Sequence, residues 1–149
     1  MSAQRSAPSL ATGSDDLVDV LARTAFATMA VLTKVSAEND LSLTQLRVLA
    51  ILRDRRLRMT VLADYLGLEK STMTGLVNRA EKRGLIERGR HPDDGRAVEV
   101  FLSAAGADLA DRLAERVGRS LAPLTGALDV TDQRRLQTLL QRMLGPHGS

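Results

Sequence analysis

Apolar residues recur at helical spacing through most of this chain and alternate in one short stretch. Leu17, Leu21, Thr24, Thr28, Leu32 and Val35 fall near one face of a helix over about residues 15–37, and Phe26 and Met29 widen that face. Asp15 and Asp16 suit its N-terminal dipole. Asn39 and Asp40 break the pattern, and Ser42 with Gln45 forms an S-x-x-Q capping box for a helix over 43–53, apolar at Leu46, Leu49, Ala50 and Ile51. A basic connection follows, residues 53–58, with a very short strand at its end; charge runs of this kind are usually just solvated. Thr60 is a good N-cap for a short helix to Leu66, and Gly67 fits its C-terminus.

A helix over 70–83 comes next, with Met73, Leu76, Val77 and Ala80 at i, i+3, i+4 and i+7, and Gly84 as its stop. Residues 85–90 and 98–102 read as strands, with Val98, Val100 and Leu102 on one face and Glu99 on the other. Between them His91-Pro92-Asp93-Asp94-Gly95-Arg96 supplies turn chemistry. Ser103 caps a long helix carrying Leu109, Leu113, Val117, Leu121, Leu124 and Leu128, which Pro123 must kink or interrupt. Thr131-Asp132 opens a last helix with Leu136, Leu139, Leu140 and Met143 on one stripe. The fold class is mainly α with a small β-hairpin wing: a winged helix-turn-helix between N- and C-terminal helices.

The face of the 70–83 helix opposite its apolar stripe is centred on Ser71, Gly75, Asn78 and Lys82, flanked by Thr72, Thr74 and Arg79. Short polar side chains near the start and basic ones near the end suit a helix that enters a major groove. An ordinary amphipathic helix with a solvated outer face has the same pattern. The hairpin shifts the balance, because an arginine at its tip, Arg96, is placed to reach a minor groove, with Asp94 orienting it through a bidentate pair.

These residues resemble the MarR family of winged-helix transcriptional regulators. The resemblance is carried by Leu62-Ala63, Leu66-Gly67-Leu68, Ser71-Thr72-Met73-Thr74, Leu76-Val77, Arg79 and Glu81-Lys82-Arg83-Gly84-Leu85-Ile86. The family's D-x-R-x-x-x-V-x-L-T pattern is matched by Asp94, Arg96, Val100, Leu102 and Ser103, with Ser in place of Thr, and Gly106 follows in T-x-x-G register. With Leu43-Thr44-Gln45 and Leu49 upstream, it covers roughly residues 15 to 144. The organisation it implies is a flexible tail at 1–13, one MarR-like unit at 14–144 (winged helix 42–103, dimerisation helices 15–37 and 104–144) and a flexible tail at 145–149.

The resemblance implies a homodimer on double-stranded DNA, a repressor whose two recognition helices meet a pseudo-palindrome about one turn apart, roughly 34 Å. Ser71, Thr72, Thr74, Asn78 and Arg79 would form the major-groove surface, Asn78 with the chemistry to read adenine bidentately. Lys82, Arg88 and Arg90 would serve phosphates, and Arg96 with Asp94 the minor groove. Gly75 departs from many relatives, which carry Arg there. The resemblance also implies a small aromatic or phenolic effector in a cleft lined by Met29, Arg47 and Arg112, although aromatic content is 2% and Phe26, Tyr65 and Phe101 are its whole supply. The other class that fits is an architectural or antisilencing DNA-binding protein without a dedicated effector. A third, an enzyme or small-molecule carrier, would use the winged helix as a scaffold.

Composition narrows this further. The 149 residues are one domain's worth, 44% hydrophobic and 26% charged. Net charge is +3, and residues 53–96 hold 11 Lys/Arg against 7 Asp/Glu while the rest is nearly neutral, so the positive excess lies in the winged helix. No run of consecutive apolar residues approaches the roughly 18 of a membrane span, and residues 1–13 show no signal peptide, so a soluble cytoplasmic protein is expected. There is no cysteine, which removes disulfides, thiolate metal sites and the peroxide-sensing branch of the family. His91 and His147 stand far apart, Asp93-Asp94 is explained by the turn, and the glycines fit no phosphate loop. Neither catalysis, a metal nor a cofactor is expected.

Overall fold

Two apolar clusters, joined by one helix, set the architecture. The computed structural model describes residues 13–90, 92, 93 and 95–147. In order these form α1 (Gly13–Glu38), α2 (Leu43–Leu52), β1 (Leu57–Arg58), α3 (Met59–Leu66), α4 (Lys70–Lys82), β2 (Ile86–Arg90), β3 (Val98–Leu102), α5 (Ala104–Thr125) and α6 (Val130–Leu144). The strands make one antiparallel sheet in the order β1-β3-β2, with Leu57 opposite Val100 and Arg88 opposite Val100 on its other side.

The first cluster holds the winged helix together. Val48, Ile51 and Leu52 of α2, Leu62 of α3, Met73, Leu76, Val77 and Ala80 of α4, and Ile86 and Val100 of the sheet pack into it. Each large aliphatic buried this way contributes about 1.5–3 kcal/mol. The second cluster joins Val35 of α1, Leu46 and Leu49 of α2, Leu85, and Leu109, Ala110 and Leu113 of α5. Thus α2 is a two-sided helix: one side packs on α3, α4 and the sheet, the other on the long helices α1 and α5. Val48 is buried in the first cluster while Ala50, expected on the apolar face, is exposed.

Local signals account for most of the element ends. Ser42 Oγ accepts from Gln45 N at 3.1 Å and Gln45 Oε1 accepts from Ser42 N at 2.8 Å, so the capping box is complete. Gly67 and Gly84 take φ of 63° and 72° at the ends of α3 and α4. The cap of α3 differs from expectation: Arg58, extended and still paired with Glu99, precedes the helix, and Thr60 lies inside its first turn. Asp129, not Thr131, caps α6 by accepting from Asp132 N at 2.8 Å. Pro123 lies in the last turn of α5, which ends two residues later. Gly145–His147 extends α6 by a 3-10 turn, where a tail was expected.

The sheet residues share faces as predicted but are unequally buried. Val98 shares a sheet face with Val100 but lies beyond the core at 43% exposed, whereas Glu99 on the opposite face is only 7% exposed because Arg56 covers it. Asp16–Glu38 is also, by length and composition, long and apolar enough to cross a membrane. Single charges and threonines interrupt its apolar runs without lowering their average, so counting consecutive residues missed it. Many of its apolar side chains stand exposed on this chain, among them Leu17, Val18, Phe26 and Met29, whereas Val35 is buried.

Candidate nucleic-acid interface

Anchored through Met73, Leu76, Val77 and Ala80, α4 presents Ser71, Thr72, Asn78, Arg79 and Lys82 to solvent. Thr74 and Gly75 are half-buried between them. The Thr74 hydroxyl donates to the Lys70 carbonyl at 2.8 Å, so its proton is used within the helix and it turns a lone pair and a methyl outward. Arg79 folds back along the helix: a methyl at Gly75 would lie 3.5 Å from its Nη1. The surface left bare by the small residue at 75 is therefore occupied by a guanidinium from one turn further on.

Arg88, expected at a phosphate, makes contacts within the protein. Its Nε donates to Glu81 Oε2 at 2.7 Å and its Nη2 donates to Asn78 Oδ1. Arg88 shares its sheet face with Ile86 and Val100, the face that packs on α4, and this directs it to the helix. Asn78, Glu81 and Arg88 are thus one network. Lys82, Arg90 and Arg96 are exposed. Asp94, expected to orient Arg96, and His91 lie outside the described residues.

Residues outside the expected DNA contacts hold this surface in place. Arg83 Nη1 donates to the Asp40 carbonyl at 2.8 Å and Nη2 to that of Asn39 at 3.3 Å, tying the end of α4 to the corner after α1. Ser103 Oγ donates to the Gly84 carbonyl at 2.5 Å and accepts from Gly106 N at 3.0 Å, while Ser103 N donates to the Leu85 carbonyl at 3.1 Å. The start of α5 is therefore locked to the turn that ends α4. Ser103 was legible as a cap; its second bond, to a residue 19 positions away, was not.

The connection before α3 is used mainly inside the protein. Arg53 pairs with Asp111 at 2.8 Å and Arg55 with Asp54 at 3.2 Å. Arg56 lies across the outer face of the wing, 3.8 Å above the Phe101 ring, with its Nε 3.3 Å from Glu99 Oε2. Gly89, opposite Glu99, leaves room for this: a methyl there would come within 3.2 Å of Phe101. The arrangement stiffens the base of the wing.

The expected effector residues are spread out. Met29 is exposed on α1 and Arg112 on α5, and Arg47 Nη2 donates to the Tyr65 carbonyl at 3.2 Å, bridging α2 and α3. The concavity bounded by Leu41, Leu49, Leu76, Arg83 and Ile86 includes none of the three, and its 10 Å³ is room for about one water. Among the described residues no three His, Cys, Asp or Glu side chains gather as metal ligands.

Comparison with known proteins agrees with this geometry. Residues 39–97, which hold α2 through the wing tip, match the model of the MarR family. The chain is similar to the uncharacterised HTH-type transcriptional regulator YfiV of Bacillus subtilis, at 35% identity over 65 residues, 43% of this chain and 41% of that protein. The chain spans about half the length of the curated relatives it matches. In fold it is similar to CouR from Rhodococcus jostii RHA1 bound to p-coumaroyl-CoA, with a TM-score of 0.77 and 24% identity over 89% of this chain and 94% of that one. It is likewise similar to a mutant MarR from E. coli complexed with operator DNA, with a TM-score of 0.68 and 22% identity over 91% and 99% of the two chains. The winged-helix segment thus matches the MarR family model, and the helices and sheet of the chain share the fold of those solved structures.

Proposed function

We propose that this chain is a sequence-specific regulator of transcription, a repressor that binds a pseudo-palindromic duplex as a homodimer and releases it on binding a small aromatic or phenolic anion. The observation that carries the reading is the exposed polar face of α4 beside a wing bearing Arg96, within the segment that matches the family. Ser71, Thr72, Asn78 and Arg79 face the major groove, Lys82 and Arg90 the phosphates, and Arg96 the minor groove. Asp94 remains the candidate to orient Arg96.

The dimer is supported by α6. None of its residues is buried in the protomer, and Leu136, Leu139, Leu140 and Met143 stand 37–58% exposed along one stripe. A helix of 15 residues is marginal in water without a packed face, so this stripe calls for a partner. The exposed apolar residues of α1 supply a matching surface on a second copy. The effector is supported by the fold shared with the p-coumaroyl-CoA complex of CouR, with Met29, Arg47 and Arg112 as lining candidates once two copies meet. Release would then be a population shift between two separations of the recognition helices.

Selection of random duplex DNA by the purified protein tests the reading. Enrichment of a two-fold-related motif with half-sites about one turn apart is expected. AT-rich DNA without symmetry, with a steep salt slope, would instead favour an architectural protein.

A further inference from the structure

From the contacts of Arg88 we infer that this residue is a specificity-positioning residue, not a phosphate contact, and that it makes Asn78 a reader of guanine. The inference rests on the DNA-binding reading above. An arginine side chain has donors and no acceptor, so the Asn78 atom that meets Arg88 is the carbonyl oxygen, and the Asn78 NH2 is left to donate elsewhere. Glu81, one turn after Asn78 on the same helix, takes the Arg88 Nε at 2.7 Å and holds the guanidinium in this pose. The carboxylate is neutralised in the same contact, which keeps a negative charge away from the groove face.

The consequence is a change in what α4 offers to a base. Asparagine pairs with adenine by donating to N7 and accepting from N6. Here the accepting oxygen is engaged by a guanidinium, and the positive charge beside it disfavours any base edge that carries a donor. The groups left over are donors, the NH2 of Asn78 with the remaining N–H groups of Arg88. Guanine, with N7 and O6 as adjacent acceptors in the major groove, is the complement of that set. The charge of Arg88 is meanwhile balanced inside the protein, so the residue adds little to counterion release.

Two measurements on the full chain test this separately. In the first, duplex selection with wild type and Asn78→Ala identifies the base pair whose preference Asn78 sets. Guanine is expected there, and Arg88→Ala is expected to relax that preference about fivefold or more while leaving the salt slope unchanged. Adenine at that position overturns the assignment. So does an Arg88→Ala protein that keeps its preference but loses about one unit of salt slope per protomer, the signature of a phosphate contact. In the second, NMR of the DNA-free protein follows the Arg88 Nε–H signal. A slowly exchanging signal that Glu81→Gln abolishes is expected, and its absence from the wild type overturns the clamp whatever the DNA result. If wild type retains no duplex at low salt, the regulator reading and the guanine assignment both fall, and the NMR signal alone decides the clamp.

Discussion

Gly106 meets the carbonyl oxygen of Leu85 so closely that a methyl group on it would lie 1.9 Å from that oxygen. The contact is backbone against backbone, and Ser103 closes it from both sides by bonding to the Gly84 and Leu85 carbonyls. At this point the first turn of α5 is pressed onto the turn that ends α4. Movement of α5 therefore moves α4 as well, which gives the long helices a mechanical hold on the exposed polar face of α4.

Gly106→Ala is expected to destabilise the protein by at least about 2 kcal/mol, because neither backbone segment can yield without breaking the Ser103 bonds. Gly118, in the same helix with nothing within 4 Å of an added methyl, is the control. Gly118→Ala is expected to gain up to about 1 kcal/mol from helix propensity. Urea denaturation of the two variants checks both. Equal and small effects would mean that the α4–α5 contact is loose in solution.

Arg83 tethers α4 to the corner at Asn39 and Asp40, and Asp40 holds a left-handed φ of 54° to present its carbonyl. Arg83→Met keeps the apolar stem but removes both bonds. It is expected to cost about 1 kcal/mol, the usual net worth of exposed hydrogen bonds. Asp40→Gly should raise stability by up to about 1 kcal/mol by relieving the backbone while keeping the carbonyl. Thermal unfolding of each variant reads these shifts, and they should appear with opposite sign.

A charge on the exposed stripe of α6 should separate the proposed dimer. Leu139, 46% exposed on the protomer, would be buried against a second copy. Leu139→Glu is expected to shift sedimentation to the monomer and to abolish high-affinity binding to a two-fold site while leaving the winged helix folded. A variant that sediments as the wild type does would place the dimer surface elsewhere.

Arg96→Ala is expected to weaken binding to the selected duplex roughly tenfold or more, the loss of one good groove contact per protomer. Fluorescence anisotropy across a salt series measures it. Unchanged affinity at every salt concentration would remove the wing from the interface.

Periodicity along the chain was sufficient for the elements and their buried faces. Met73, Leu76, Val77 and Ala80 are all buried as their spacing requires, and the stops at Gly67 and Gly84 and the caps at Ser42 and Ser103 lie where local chemistry puts them. These are short-range effects, each settled within a turn or two of chain. What crosses a face was not legible, because spacing says which side chains share a face and nothing about what a distant element lays over it. Glu99 is buried because Arg56 lies on it, Arg88 reaches Asn78 because β2 packs its Ile86 face on α4, and Gly106 is required only where α5 meets Leu85. The candidate surface was therefore readable as a list of residues, but which of them are exposed and which hold one another was decided by packing between segments 10 to 43 residues apart.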